Sequence, residues 1–514
     1  MKKLLFLILL ALSSIFMVSC SGDDGNEKEE GIVPEVDENG ERKIVYDKEN
    51  LTIYIPTERN LRVAQFTDLH FGDEKAGGYS NNREQRTIEF MQQVVEETNP
   101  DLIILTGDIL FGKKVNGPTG LQKVLDIMDS FKIPYAYLYG NHDAEELTEG
   151  YSKKELHEHL LTNESPYLIY GDEYNEKNRK SYLDVRYGVY SLQIRNVDNK
   201  ALLGAYMFFD NGYYDSRISS YNSISEGQIS WYETRVNELQ VEYSQQANNP
   251  CEVVPTVIFN HMQLPEYYNA YVSAYAKEYG DDEFKEKYGA AIDTENDYEF
   301  VIFQEVSAIN GDNDWYEMIR TGAPTVNTTN LFEKMVELRS TKAFFCGHAH
   351  SFNFQVKAQG IILGFATQTG FAPAESTNWN ERLGYVYNFN SAFELVFTTA
   401  VDEDVKGVLG EGLAIKYLDG TNGDSLFKTE EVNADGTYTL EVTMLKQWSR
   451  VKFYYKGQEL DLVNEYKVIG AYSGSYITGR KLYSEGGNIL YYASKDAPTF
   501  TFIFNPTTKT IEVK

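Results

Sequence analysis

From Leu61 onward the chain alternates between short apolar runs and longer stretches with helical spacing. Leu61–Phe66 is mostly apolar. Residues 83–98 repeat apolar positions at Ile88, Met91, Val94 and Val95, which predicts one helix face, and Pro100 ends it. Leu102–Leu105 is apolar without a break. Leu121, Val124, Leu125 and Met128 predict a second helix over 121–131, and Ile133–Tyr139 is a third apolar run. The order is βαβαβ. Strands that are apolar at every position are buried on both faces, so layers are expected on both sides of a sheet.

The pattern continues with less regularity. A strand is expected at Leu51–Ile55, and further strands at Val189–Ile194, Leu202–Phe208, Val253–Phe259 and Ala343–Cys346. A helix is expected from Glu226 to about residue 240. Residues 266–340 are polar, tyrosine-rich and partly helical, and read as an insertion over one edge that forms a rim. Glu394–Thr398 could close the sheet. After about residue 402 the texture changes to clean two-residue alternation, as in 436–442, 450–455 and 499–504, with Asp-Gly and Asn-Pro turn signals nearby. Residues 403–514 therefore read as a separate antiparallel β-sandwich behind a larger domain over 44–402.

The N-terminus departs from this pattern. Lys2 and Lys3 precede an apolar stretch, Leu4–Val18, that is short for a membrane span and fits an export signal. The segment ends Met-Val-Ser-Cys and resembles a bacterial lipobox, with Met17 where leucine is usual and Cys20 as the lipidated residue. An ordinary secretion signal is the alternative. Ser-Gly-Asp-Asp after Cys20 resembles the sorting signal of surface-exposed lipoproteins in Bacteroidota. The expected setting is thus a cell envelope, on an outer membrane, periplasmic or surface-exposed, with membrane contact only through the lipid. Residues 21–43, acidic and poor in apolar side chains, read as a disordered tether. The mature chain retains Cys251 and Cys346; a disulfide is possible, but their apolar settings favour buried free thiols.

The formal net charge of −30 argues against nucleic acid and anionic lipid as partners. An anionic substrate would be repelled too, unless bound cations reversed the field locally. The chemistry-bearing residues supply a place for cations. Five strand ends carry polar donors: Asp68 and His70, Asp108, Asn141 and His142, His261, and His348 with His350 in Phe-Phe-Cys-Gly-His-Ala-His. Five of the chain's seven histidines lie there. The carboxyl ends of strands in an open α/β sheet face one crevice, which would gather these groups. Singly, an Asp-x-His or a Gly-Asp is a common turn, and a lone histidine is usually core or surface. Together they are seven ligand groups besides His142, too many for one tetrahedral ion and suited to two ions about 3.5–4 Å apart. If 348–350 is extended, both imidazoles point the same way and each can reach a different ion. His157 and His159, in a charged helical stretch, read as solvated surface residues.

The ordered blocks Asp-Leu-His, Gly-Asp, Gly-Asn-His-Asp, Asn-His and Gly-His-Ala-His resemble those of the calcineurin-like metallophosphoesterases, over roughly 60–400. Phe-Asn-His-Met-Gln-Leu-Pro-Glu at 259–266 resembles a subgroup of small purple-acid-phosphatase relatives that includes plant enzymes and the fungal dosage-dependent cell-cycle regulator phosphatase. The resemblance implies a four-layer α/β/β/α sandwich and two divalent ions, Mn, Fe or Zn. It implies that Asp68, His70 and His350 hold one ion, that Asn141, His261 and His348 hold the other, and that Asp108 bridges them. His142 would then bind the phosphate and protonate the leaving oxygen.

The implied reaction is hydrolysis of a phosphate monoester by direct attack of a metal-bridging hydroxide, the pKa of water falling from about 15.7 towards neutrality. A diesterase on the same site is the nearest alternative. The substrate would be a phosphorylated small molecule or a surface group, and the protein is expected to act as a monomer. Tyr213, Tyr214, Asn310 and Trp315 are candidates for the substrate rim, with ordinary loop packing as the alternative. A rival from another class is a surface glycan-binding lipoprotein with a vestigial core, because the C-terminal segment loosely resembles starch-binding modules; Trp448, Tyr454 and Tyr455 could stack on sugars or form sandwich core. Purple acid phosphatases place an iron-bound tyrosine three residues after the bridging aspartate, and here that position is Phe111. The iron-loaded protein should therefore lack a tyrosinate charge-transfer band; a visible absorption spectrum showing one would overturn this.

Overall fold

The computed structural model describes residues 44–402 except 57–58, 73–82, 112–116, 145–151, 175–185, 213, 216–219, 248–251, 281, 303–329, 351 and 372–382, and, with shorter breaks, 412–513. The export signal, Cys20, the tether and Cys251 lie outside the described residues. Two short strands, β1 (Val45–Asp47) and β2 (Thr52–Ile55), lead into the expected unit. It consists of β3 (Leu61–Phe66), α1 (Arg83–Thr98), β4 (Leu102–Thr106), α2 (Gly117–Ser130) and β5 (Tyr135–Leu138). There follow α3 (Lys153–Leu161), β6 (Leu168–Ile169), β7 (Tyr190–Asn196), β8 (Leu202–Phe208) and a small hairpin of β9 (Tyr214–Asp215) and β10 (Ser220–Tyr221). Next are α4 (Glu226–Ala247), β11 (Thr256–Phe259), α5 (Glu266–Tyr279), α6 (Asp282–Tyr288), β12 (Tyr298–Ile302) and α7 (Leu331–Leu338). The set ends with β13 (Thr341–Cys346), β14 (Gln355–Ala358), β15 (Ile361–Phe365), β16 (Leu383–Phe389) and β17 (Leu395–Asp402).

These strands form two sheets rather than one open sheet. One has six strands in the order β17-β16-β3-β4-β5-β6, the other nine in the order β1-β2-β7-β8-β11-β13-β15-β14-β12. Alternation along each central strand explains why both faces are apolar. Leu61 and Val63 of β3, with Leu102 and Ile104 of β4, point between the sheets and meet Val257, Phe259, Ala343 and Phe345 of the other sheet. Ala64, Phe66, Ile103 and Leu105 point outward onto Met91, Val94, Leu121 and Leu125 of α1 and α2. On the far side, Ile258, Phe344 and Cys346 pack under Tyr232 of α4, Tyr267 and Tyr271 of α5 and Met335 of α7. The result is α/β/β/α, the expected four layers. Part of the segment read as an edge insertion is scaffold: α5 and α7 cover the nine-stranded sheet, and β12 sits at its edge.

His157 corrects another expectation. It is buried, its Nδ1 2.7 Å from the Tyr170 hydroxyl and its Nε2 3.5 Å from Asp172. His159, half-buried, pairs with Gln122. A capping box between Ser152 and Glu155 starts α3 and turns His157 towards these partners, which come from a later segment and were invisible to local pattern.

The C-terminal region is a second β structure, with strands drawn from 413–513 in a seven-stranded and a four-stranded sheet. Leu413, Ile415 and Phe453 of the first face Val442, Phe502, Phe504 and Ile511 of the second across a common core. Pairing is antiparallel except between 467–469 and 510–512 and between 472–473 and 483–484. Tyr455 packs against Tyr438 and Phe504, and Tyr454 is buried, so both contribute to packing. Among the described residues no helix is long and apolar enough to cross a membrane.

Gln65 carries a buried polar group into the inter-sheet layer. Gln65 of β3 donates from Nε2 to the Thr106 hydroxyl (2.8 Å) and accepts at Oε1 from the Tyr387 hydroxyl (2.5 Å). Tyr387→Phe strips the acceptor of its donor in a dry layer. Urea unfolding should show a loss of about 1–3 kcal/mol.

Candidate metal centre

Beyond β3 and β4 the two backbones stay paired. The Asp68 N–H donates to the Gly107 carbonyl (3.0 Å) and the His70 N–H to that of Asp108 (2.9 Å). Here Asp68, His70 and Asp108 take φ of 54°, 50° and 51°. Left-handed backbone at a non-glycine residue costs on the order of 1–3 kcal/mol and persists only where its surroundings impose it. His348 is a fourth case, with φ 67°. Residues 348–350 are therefore bent, not extended, and strand alternation does not set the direction of the two imidazoles. Gly347 is required ahead of them, because a Cβ there would lie 2.0 Å from the Thr67 hydroxyl and 2.6 Å from Asp68 Oδ2.

The donors converge from both sheets. Asp68, His70, Asp108 and His350 each present an atom within 4.8 Å of the others, and Asp108, His261 and His348 form a second such group. Asp108 belongs to both. Asn141 joins the second, its Oδ1 3.0 Å from His261 Nε2. Asp68 Oδ2 accepts from the Thr67 hydroxyl (2.7 Å) and from the His348 N–H (3.0 Å), tying the two sheets together.

The residues fit divalent cations. Both ring nitrogens of His70 are buried without a hydrogen-bond partner among the described residues, and Asp68 Oδ1 is buried facing the His350 imidazole 3.2 Å away. Leaving such atoms unsatisfied is costly, and a bound cation would satisfy them. Burial drives the pKa of His70 down to about 3, and burial with the neighbouring His261 does the same to His348, so both are neutral, the state that ligates. Burial opposes ionisation of Asp68 and Asp108, but the surrounding histidines outweigh it and hold Asp68 at about 2 and Asp108 well below the usual carboxylate range. His261 has the reverse balance: burial disfavours its charge, yet Asp108, 3.1 Å away, holds it up at about 9. Mixed imidazole, carboxylate and amide donors suit Mn, Fe or Zn without choosing among them.

Residues 61–303 match the calcineurin-like phosphoesterase family. The chain carries a calcineurin-like phosphoesterase domain. Relatives include "Probable inactive purple acid phosphatase 29" of Arabidopsis thaliana, 23% identical over 63% of this chain and 75% of its own length. "Phosphatase DCR2" of Saccharomyces cerevisiae is 26% identical over 41% of this chain and 36% of its own length. Among solved structures, a dimetal phosphatase from Danio rerio superposes with a TM-score of 0.39 at 10% identity, covering 72% of this chain and 99% of that one.

Within the phosphoesterase domain, His142 stands outside both ligand groups. Its N–H donates to Asp108 Oδ1 (2.7 Å), its Nε2 lies 4.0 Å from Asp108 Oδ2, and its side chain is 27% exposed. Phe111 packs its ring against His70 and His142, at 5.5 and 5.1 Å between centroids. Of the rim candidates, Tyr213, Asn310 and Trp315 lie outside the described residues, as does the side chain of Tyr214, whose backbone pairs with Tyr221.

Two residues not singled out from the sequence bear on the centre. Tyr221 accepts at its hydroxyl from Asn141 Nδ2 (3.2 Å) and sets its ring edge-on to His348. Asp143, the last residue of Gly-Asn-His-Asp, is fully buried. It accepts the N–H groups of Asp108 (2.9 Å), Ile109 (2.8 Å), Leu110 (2.8 Å) and Gly140 (2.6 Å). It thereby fixes the turn that carries Asp108 and the one that carries Asn141. Its place in that block was the available signal. Asp143→Asn turns an amide N–H towards backbone N–H donors; metal titration of the folded variant should show about 10–100-fold weaker binding.

Proposed function

We propose that the chain is a dinuclear-metal phosphoesterase acting on phosphate monoesters. The observation that carries this reading is the pair of ligand groups sharing the buried carboxylate of Asp108. Two divalent ions, when bound, would offset the protein's negative field, bind the phosphoryl oxygens and acidify the attacking water. The protein's own residues do the rest. Thr67 and the His348 N–H fix one oxygen of Asp68 and leave the other turned into the centre. Asp143 fixes the Asp108 backbone.

His142 is the part-exposed imidazole beside the shared carboxylate, suited to hydrogen-bond the phosphate and to hand a proton to the leaving oxygen. Cys346 is no nucleophile: its thiol lies in the outer apolar layer and burial pushes its pKa far up. The purple acid phosphatase relatives favour a monoester over a diester. Their names call the plant proteins inactive; in this chain all seven donors and His142 are present, which supports turnover. The lysine-flanked apolar segment ending at Cys20 supports an envelope setting, with a phosphorylated small molecule or surface group as substrate.

Elemental analysis beside assays of an aryl phosphate monoester and a diaryl phosphate tests the reading. Two ions per chain and faster monoester turnover are expected. Asp108→Ala should abolish activity by dismantling both ligand groups. His142→Ala should keep its metal and lose about 10²–10⁴-fold in rate. Wild-type turnover by His142→Ala removes its catalytic role; a metal-free chain retained on a polysaccharide column would favour the glycan-binding alternative.

A further inference from the structure

The segment 209–225 leaves the end of β8 and returns to the start of α4, and its two ends are tied down by buried charge. At the first end, Asp210 is buried and its carboxylate accepts from Lys153 Nζ of α3, from the Gly212 N–H (2.9 Å) and from the Tyr187 N–H (3.0 Å). Lys153 is buried as well and also donates to the Gly212 carbonyl (3.3 Å). At the second end, Arg186 is buried and donates to Gln228 Oε1 (3.1 Å) and to the Ser223 carbonyl (3.1 Å). Gln228 donates in turn to the Asp210 carbonyl (3.1 Å), joining the two ends. The guanidinium closes on Gly212, where φ is +84° and an added Cβ would lie 2.2 Å from Arg186 Nη1. Removing a partner from buried pairs such as these is strongly destabilising, so the anchorage is firm.

What this anchorage holds in place is the β9–β10 hairpin, and Tyr221 at its end. Tyr221 touches the metal centre at Asn141 and at His348, which belong to the same subsite. Its hydroxyl accepts from Asn141 Nδ2, and its ring edge meets His348 at 5.7 Å and 82°. Asn141 is the weakest donor of the set, a neutral amide whose other end, Oδ1, lies 3.0 Å from His261 Nε2. A neutral amide ligates usefully only if its plane is held. A hydroxyl can accept from the amide nitrogen or donate to the amide oxygen, so Tyr221 fixes the plane, and the cation side decides which atom faces inward.

We infer that Tyr221 is a positioning residue for one of the two metal subsites, that of Asn141, His261 and His348, and acts through the Asn141 amide. The inference rests on the dinuclear reading above. The subsite of Asp68, His70 and His350 is held by other groups, namely Thr67, the His348 N–H and the paired backbones beyond β3 and β4, none of which runs through the Asn141 amide. The two subsites should therefore respond differently to the loss of one hydroxyl.

The test is titration of the full metal-stripped protein with Mn2+, followed by calorimetry, for wild type, Tyr221→Phe, Asn141→Ala and the double variant. Phenylalanine keeps the ring against His348 and removes only the oxygen. Wild type should bind two ions. Tyr221→Phe should bind one with wild-type affinity and the other about 10–100-fold more weakly. In the Asn141→Ala background, adding Tyr221→Phe should change nothing further. Fewer than two ions in wild type removes the dinuclear reading and this inference with it. Two ions in wild type with an unchanged Tyr221→Phe isotherm, equal weakening of both ions, or a further tenfold loss in the double variant overturns this inference alone.

Discussion

An ionised carboxylate inside a protein must be matched on every side, and Asp108 is the clearest case here. It is buried at the seam where two sheets meet, with His70, His142 and His261 within about one hydrogen-bond length or a little more of its oxygens. Its own backbone is held by another buried carboxylate, Asp143, through N–H groups of three consecutive residues. Burial, and then the charge of Asp108, pushes the Asp143 carboxyl up to about 6, which shows how closely negative charge is packed. The rest of the centre follows from that concentration. Neutral imidazoles at His70 and His348, orphaned ring nitrogens on His70 and an Asp68 oxygen turned into the centre are what such crowding leaves for a cation to satisfy.

The scaffold explains how such a concentration survives. Apolar layers fill the space between the sheets and both outer faces, and the polar donors appear only after the last residue of each strand. The strands supply rigid positions and the first one to five residues beyond them supply chemistry. Four ligand residues take a left-handed backbone there, which frees their side chains from strand alternation. The strain sits where the neighbouring backbone is doubly fixed, by Gly107 and Asp108 carbonyls on one side and by Gly347 on the other.

Local pattern revealed what local physics determines. Helix α1 begins and ends where the apolar spacing and Pro100 put it, at Arg83 and Thr98, and β3, β4 and β13 lie within two residues of the apolar runs. The donors could be gathered from sequence because each follows such a run. The division into two sheets could not be read from local pattern, since it depends on pairings between distant segments such as β16 with β3 and β12 with β14, and it followed instead from the family resemblance. Neither could the bend at His348: histidine, unlike glycine, gives no sign of a left-handed φ. His157 looked solvated because its neighbours in the chain are charged; Tyr170 and Asp172, which bury it, belong to the next segment. Asp143 stood in a motif whose first three residues drew attention to themselves by type, while its work is done on backbone.

The hydrogen bond from the His348 N–H to Asp68 joins residues 280 positions apart, one on each sheet, and the two ligand groups repeat that division. A cation seated there would be a rivet through the sandwich. Binding free energy is then shared with folding free energy, so occupancy and lifetime of the protein rise and fall together. Under the proposed reading, the same seven side chains that hold the ions would also help hold the two sheets together.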